Sequence, residues 1–236
     1  MSNRLKTILF AAILCFACSA ILTTASTGLQ RFQKKNMRID RHRNILMSVG
    51  LVKPERRYAA DEIETMYTEF IEPLWVDSDG QLIEAPQEGE NNLPLYIFEK
   101  DNQIQAYIVP ISSRGLWGKI QGYLAIENDG STISGFTVFK HSETPGLGGE
   151  IEKAWFQKNW VGKKIVDRSG EFVSVSIAKG AVKDMIPPQK QSNYVDGISG
   201  ATLTGRYLTA GLREVLQDYE PVSIRFRKNL IAEPPG

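Results

Sequence analysis

Cysteine is almost absent from this 236-residue chain: Cys15 and Cys18 are the only two, both near the N-terminus. The body therefore has no disulfide framework and no thiolate metal site. Histidine is equally scarce, with only His42 and His141, which excludes a histidine-rich metal centre. Net charge is +1, which excludes a generally basic nucleic-acid binder. The glycine fingerprints of dinucleotide and phosphate-loop sites are missing, as is G-x-S-x-G around Ser142 or Ser199. Neither serine thus reads as a hydrolase nucleophile working with His141. There are no repeats and no low-complexity tract. With 42% hydrophobic and 23% charged residues, disorder, collagen and coiled coil are excluded as well.

The near-neutral average hides an asymmetry. Residues 1–43 hold eight Lys/Arg against the single acid Asp40, a surplus of seven. With +1 for the whole chain, residues 44–236 carry −6. Thr7 to Leu29 has no charge and is rich in Ile, Leu, Phe and Ala. As a helix rising about 1.5 Å per residue, it can cross a hydrocarbon core of roughly 30 Å. An uncleaved anchor fits better than a cleaved signal peptide, whose apolar region is usually shorter. Cys15 and Cys18 share one face of that helix. No second pair completes four ligands, so they read as small apolar side chains. Six basic residues follow Leu29 and two precede Thr7, which by the positive-inside rule places the body in the cytoplasm.

The expected organisation is a short N-terminus (1–6), a transmembrane helix (7–29), a basic juxtamembrane linker (30–58) and one domain (59–236). Within the domain, helical spacing predicts a helix over Ala59–Ile71, stopped by Pro73. Leu74–Ile83 reads as a hairpin around Asp77-Ser78-Asp79-Gly80. Tyr96–Phe98 turns at Asp101-Asn102 into Ala106–Val109, and Gly122–Ile126 turns at Asn128-Asp129-Gly130 into Phe136–Phe139. A helix is expected over Ile151–Asn159, a strand over Phe172–Ile177, and a last helix from near Ser199 to Pro221. The class is α+β, an antiparallel sheet with flanking helices.

Two segments carry candidate chemistry. The first is Asp196-Gly197-Ile198-Ser199-Gly200-Ala201-Thr202, leading into the last helix. A helix start offers free N–H groups and partial positive charge, which suits a phosphate. Ser199 is expected as the N-cap, Gly200 as a point of close backbone approach, and Thr202 as a hydroxyl in the first turn. The plain alternative is a serine-capped helix. The second is Phe139-Lys140-His141-Ser142-Glu143-Thr144-Pro145-Gly146-Leu147-Gly148-Gly149-Glu150. Its proline and three glycines make a tight loop in which Leu147 could pack on a planar ring; the plain alternative is a strand-to-helix turn.

Together these segments resemble the C-type subunit of the sodium-translocating NADH:quinone reductase, a membrane-anchored FMN-binding family with the signature Asp-x-x-Ser/Thr-Gly-Ala-Thr. The likeness extends to Arg43-Asn44-Ile45-Leu46, Gly115-Leu116-Trp117-Gly118, Gly122-Tyr123-Leu124-Ala125, Trp155 and Trp160-Val161-Gly162-Lys163-Lys164. A related family, the G-type subunit of the complex linking ferredoxin and NAD, shares the threonine signature but usually continues differently after Thr-Pro-Gly-Leu-Gly. The resemblance implies FMN joined to Thr202 by a phosphoester, with Ser199, Gly200 and Ala201 at the phosphate end. It also implies Thr144, Leu147 and Gly148 near the ring system and Asp196 holding the turn or assisting the flavin transferase. It implies a one-electron relay among other subunits, with no NADH site on this chain and no nucleic-acid partner. The place implied is the bacterial inner membrane, spanned once, with the domain on the periplasmic side. That opposes the charge count; flanking charge is a bias that long domains overcome, so the external side is the reading adopted. The rivals are an anchored, cofactor-free interaction domain and a stand-alone flavin sensor.

Overall fold

The computed structural model describes residues 3–231, and the chain divides into two compact units after Arg41. In the first unit every side chain from residue 3 to residue 38 is exposed, including Ile8, Phe10, Ile13, Phe16 and Ile21. Apolar side chains exposed in such numbers need a covering that a soluble chain cannot supply, and the helix is long and apolar enough to cross a bilayer. This helix, α1, runs unbroken over Asn3–Ser48. Residues 30–48, expected as linker, are thus helical, and 42–58 fall in the second unit, where Ile45, Leu46 and Val52 are buried.

The second unit is built on a six-stranded antiparallel sheet in the order β2-β1-β3-β4-β5-β6. The strands are β1 (Ile71–Val76), β2 (Leu82–Ile83), β3 (Leu93–Lys100), β4 (Gln103–Arg114), β5 (Lys119–Glu127) and β6 (Ile133–Lys140). The turns are those expected. Asp101 and Asn102 both take positive φ, 55° and 57°, which suits a tight two-residue hairpin. Asp129 accepts hydrogen bonds from the amides and hydroxyls of Ser131 and Thr132. Burial alone would raise its pKa, but those bonds outweigh the desolvation and leave it below the usual carboxylate range.

Both faces of the sheet are covered, which is why β4 and β5 read as near-continuous apolar runs. One face carries Tyr107, Val109, Leu124 and Val138 against Leu208, Leu212, Phe226 and Trp160. The other carries Gly135 and Thr137, on which the end of α1 lies. A Cβ on Gly135 would stand 2.0 Å from the Ser48 carbonyl oxygen, and the Thr137 hydroxyl donates to Asn44 O at 3.3 Å.

Several boundaries differ from expectation. Helix α2 spans Ala60–Phe70, and Pro73 lies inside β1, not beyond a helix end. Residues 151–159 split into a 3₁₀ turn (Gly148–Glu152) and a short helix α3 (Ala154–Lys158). The expected strand 172–177 shrinks to β7 (Ser176–Ile177), paired in parallel with β8 (Tyr194–Val195), because Ser174 at φ 66° breaks the extended run. A small helix α4 (Val182–Met185) intervenes. Helix α5 covers Thr202–Asp218, and Pro221 opens a further helix α6 (Glu220–Arg227), since proline is tolerated in a first turn.

Candidate functional site

Helix α5 is fixed by contact with β4. Gly211 lies so close that a Cβ there would sit 2.2 Å from Ser113 Cβ, and Leu208, Leu212 and Leu216 are buried against the sheet. This seats the start of α5 beside the β4–β5 turn, Gly115–Gly118, which is closed by Gly115 N–H to Gly118 O at 2.7 Å. The loop after β6 arrives at the same place. Its turn is held by the amides of Leu147 and Gly149, both donating to Thr144 O, and Gly146 takes φ 74°.

The two motifs, more than forty residues apart in sequence, therefore meet. Leu116, Thr144, Leu147, Gly148, Gly200, Ala201, Thr202 and Thr204 line one cavity of about 190 Å³. Gly200 has φ 74°, and a Cβ on it would lie 2.7 Å from Leu147 Cδ2, so the loops touch where only glycine fits. A second cavity, about 260 Å³, lies against Ile177, Lys179, Ile198, Ala201, Thr202 and Arg206. Thr202 is exposed and borders both. A larger cavity of about 490 Å³, bordered by Met47, Pro54, Phe136 and Val161, includes no residue of either motif.

Two expected roles change. Ser199 does not cap α5: the N-cap position is Ala201, with no side-chain cap, and Ser199 is exposed and lines neither cavity. The positive φ of Gly200 turns the chain after Ser199, so the helix starts at Thr202, two residues later than its side chain can serve. Asp196 lies behind the cavities. Its Oδ1 accepts from Val182 N at 2.6 Å, and Gly197 N–H donates to Gly180 O at 2.9 Å, which ties the turn to α4. Asp196 also faces Lys163. Burial pushes that ammonium's pKa below its ordinary value, against the opposing pull of Asp196, and its Nζ donates to Gln191 O at 3.0 Å.

With this geometry in place, similarity to known proteins is informative. The FMN-binding domain family matches residues 115–217, which contain both motifs. The C-type subunit of the Na(+)-translocating NADH-quinone reductase from Yersinia pestis is 34% identical, covering 84% of this chain and 83% of its own. The chain belongs to the family of C-type subunits of that reductase. The Pseudomonas aeruginosa member is 31% identical over 85% of this chain and 87% of its own. A crystal structure of the Parabacteroides distasonis member superposes with a TM-score of 0.69 at 33% identity, covering 83% of this chain and 96% of that one. The protein is thus one subunit of a redox enzyme complex and carries an FMN-binding domain.

The residues at hand fit a flavin mononucleotide. The amides of the first turn of α5 have no side-chain cap, an exposed hydroxyl stands among them, and apolar Leu116 and Leu147 wall the adjoining cavity. Sequence reasoning missed Glu143 and Thr204. Glu143 is 4% exposed and Thr204 2%, and the Thr204 hydroxyl donates to Glu143 Oε2. Glu143 Oε1 accepts from Trp117 N at 3.0 Å. Its own amide donates to His141 Nδ1 at 3.1 Å, so the ring proton sits on Nε2, facing Glu152 Oε2 at 3.1 Å. The available signal was a glutamate flanked by otherwise uncharged residues within a glycine-rich loop.

Proposed function

We propose that this chain relays single electrons through FMN joined to Thr202 by a phosphoester, within a membrane-bound, sodium-pumping NADH:quinone reductase. The observation that carries the reading is Thr202: an exposed hydroxyl in an uncapped first helical turn, bordering both cavities. FMN, when bound, supplies the redox chemistry; the protein supplies attachment, packing and electrostatics.

The phosphate end falls to backbone and charge. The amides of Thr202 to Thr204 lack a side-chain cap, Gly200 and Ala201 bring the chain close, and Arg206 one turn later adds positive charge to the cavity that Thr202 shares. The ring end falls to Leu147, Gly148 and Thr144, with Leu116 opposite. Thr204 is withdrawn from competition with Thr202, because its hydroxyl is buried on Glu143. In this reading a flavin transferase loads Thr202, residues 7–29 span the bacterial inner membrane once, and residues 59–236 form the flavin domain on the periplasmic side. Asp196 keeps the acceptor turn in register through Val182. The partners are the other subunits of the complex, and electrons from NADH reach this chain through them.

The test is co-expression of the full chain with a flavin transferase, followed by a denaturing gel under ultraviolet light. The parent band should fluoresce and Thr202→Ala should be dark. A fluorescent Thr202→Ala band would refute the assignment.

A further inference from the structure

We propose that Glu143 is a positioning residue for the flavin cavity and that its carboxylate lowers the reduction potential of the flavin held there. The proposal rests on the reading that Thr202 carries the flavin.

The geometric case is that Glu143 joins three separate segments of chain at the cavity. Oε1 accepts from the amide of Trp117, next to Leu116, and Oε2 accepts from Thr204 in the first turn of α5. Its own backbone lies in the loop that ends in Leu147 and Gly148. Leu116, Gly148 and Thr204 all line the 190 Å³ cavity. The surrounding backbone packs closely. A Cβ on Gly115 would stand 2.5 Å from Oε1, and one on Gly148 would stand 2.8 Å from Oε2. These glycines mark where the backbone closes around the carboxylate.

The electrostatic case follows from what is missing around it. Among the described residues no Lys, Arg or His pairs with this carboxylate; it is satisfied by neutral donors only. Neutral donors compensate its desolvation but leave its negative charge uncancelled. Glu143 stands behind Leu116, Gly148 and Thr204, which line the cavity, so adding an electron to a group held there is disfavoured by the charge, and weak dielectric screening in a buried site strengthens the effect. His141 and Glu152 stand further along the same loop. His141 accepts from the backbone amide of Glu143 and its other ring nitrogen meets Glu152, so the pair steadies the loop without touching the Glu143 carboxylate.

Glu143→Gln keeps the shape and removes the charge, whereas Glu143→Asp keeps the charge and shortens the reach. The full chain, loaded by co-expressed transferase and purified in detergent, is titrated spectroelectrochemically. Glu143→Gln should favour reduction about tenfold, a rise of about 59 mV for a one-electron couple. Glu143→Asp should stay within about threefold of the parent, because the charge remains at a similar distance. A purely structural role gives the opposite pattern: isosteric Gln matches the parent and Asp departs. That pattern, or loss of flavin from both variants, would overturn the proposal.

A measurement without flavin tests the positioning half. Hydrogen exchange at the Trp117 amide should be slow in the unloaded parent and at least about tenfold faster in unloaded Glu143→Ala, which lacks the acceptor. Equal rates would overturn it. If the parent band itself is dark after co-expression, the failure belongs to the Thr202 assignment, and it is seen before any potential is measured.

Discussion

Replacing Thr204 by valine removes one hydroxyl and adds one methyl of nearly the same size, so it opens no cavity. The site is 2% exposed, and the lost atom is the donor to Glu143 Oε2. A hydrogen bond to a charged group contributes about 1.5–3 kcal/mol, and here the carboxylate oxygen left behind is buried out of reach of bulk water. Glu143 keeps the Trp117 amide on its other oxygen, which holds the loss near that range. For a unit of this size each kcal/mol moves the melting temperature roughly 2–4 °C, so Thr204→Val should melt about 3–12 °C below the parent. Thr202→Val is the internal control. It makes the same chemical change two residues earlier at an exposed position and should stay within about 0.5 kcal/mol. The assay is thermal unfolding of the flavin-free chain in detergent, followed by the fluorescence of buried Trp160. With Thr202 proposed as the acceptor, Thr204→Val should still become fluorescent with a transferase. Equal melting of the 202 and 204 variants would refute the account of Glu143 as a buried carboxylate dependent on Thr204.

Gly211→Val should cost more than about 3 kcal/mol and lower the yield of flavin-loaded chain, since its Cβ would stand 2.2 Å from Ser113 Cβ and push α5 off β4; wild-type melting of that variant would contradict the close contact. For topology, alkaline phosphatase fused at Gly236 should be active and membrane-bound, while a fluorescent protein that matures inside should stay dark at the same position. The reverse result would mean that the six basic residues after Leu29 govern orientation.

The hairpins and the long helices were legible because their signals are local. Asp101-Asn102 and Asn128-Asp129-Gly130 demand their turns whatever lies elsewhere, and the α5 periodicity follows from one buried face. The α1 extension to Ser48 was obscured because residues 30–43 are mostly polar, and Phe32, Met37 and Ile39 are too few to set a periodic apolar signature. The β7–β8 pair joins segments nearly twenty residues apart through two residues each, too short for an alternation to register. At the site, the resemblance implied Leu147 near the ring and Gly200 near the phosphate of one ligand, but not that the two residues touch. The Glu143–Thr204 bond spans 61 residues and has no sequence trace beyond a glutamate in a glycine loop. Ser199 was misread as a cap because the glycine after it, at positive φ, displaces the helix start.

The borders of the sheet decide how this domain is assembled with its neighbours. At one border β1 meets a partner strand of only two residues, and its remaining outward stretch carries Pro73, which has no N–H to offer. At the other, the start of β6 is already engaged: Ile133 exchanges both its backbone hydrogen bonds with the returning segment, its amide to Lys163 O and its carbonyl from Gly162 N. A foreign strand therefore finds a short, proline-interrupted edge at one side and an edge whose first residue is already engaged at the other. Both borders thus blunt edge-to-edge pairing between copies of this domain where the proline and the engaged residue lie.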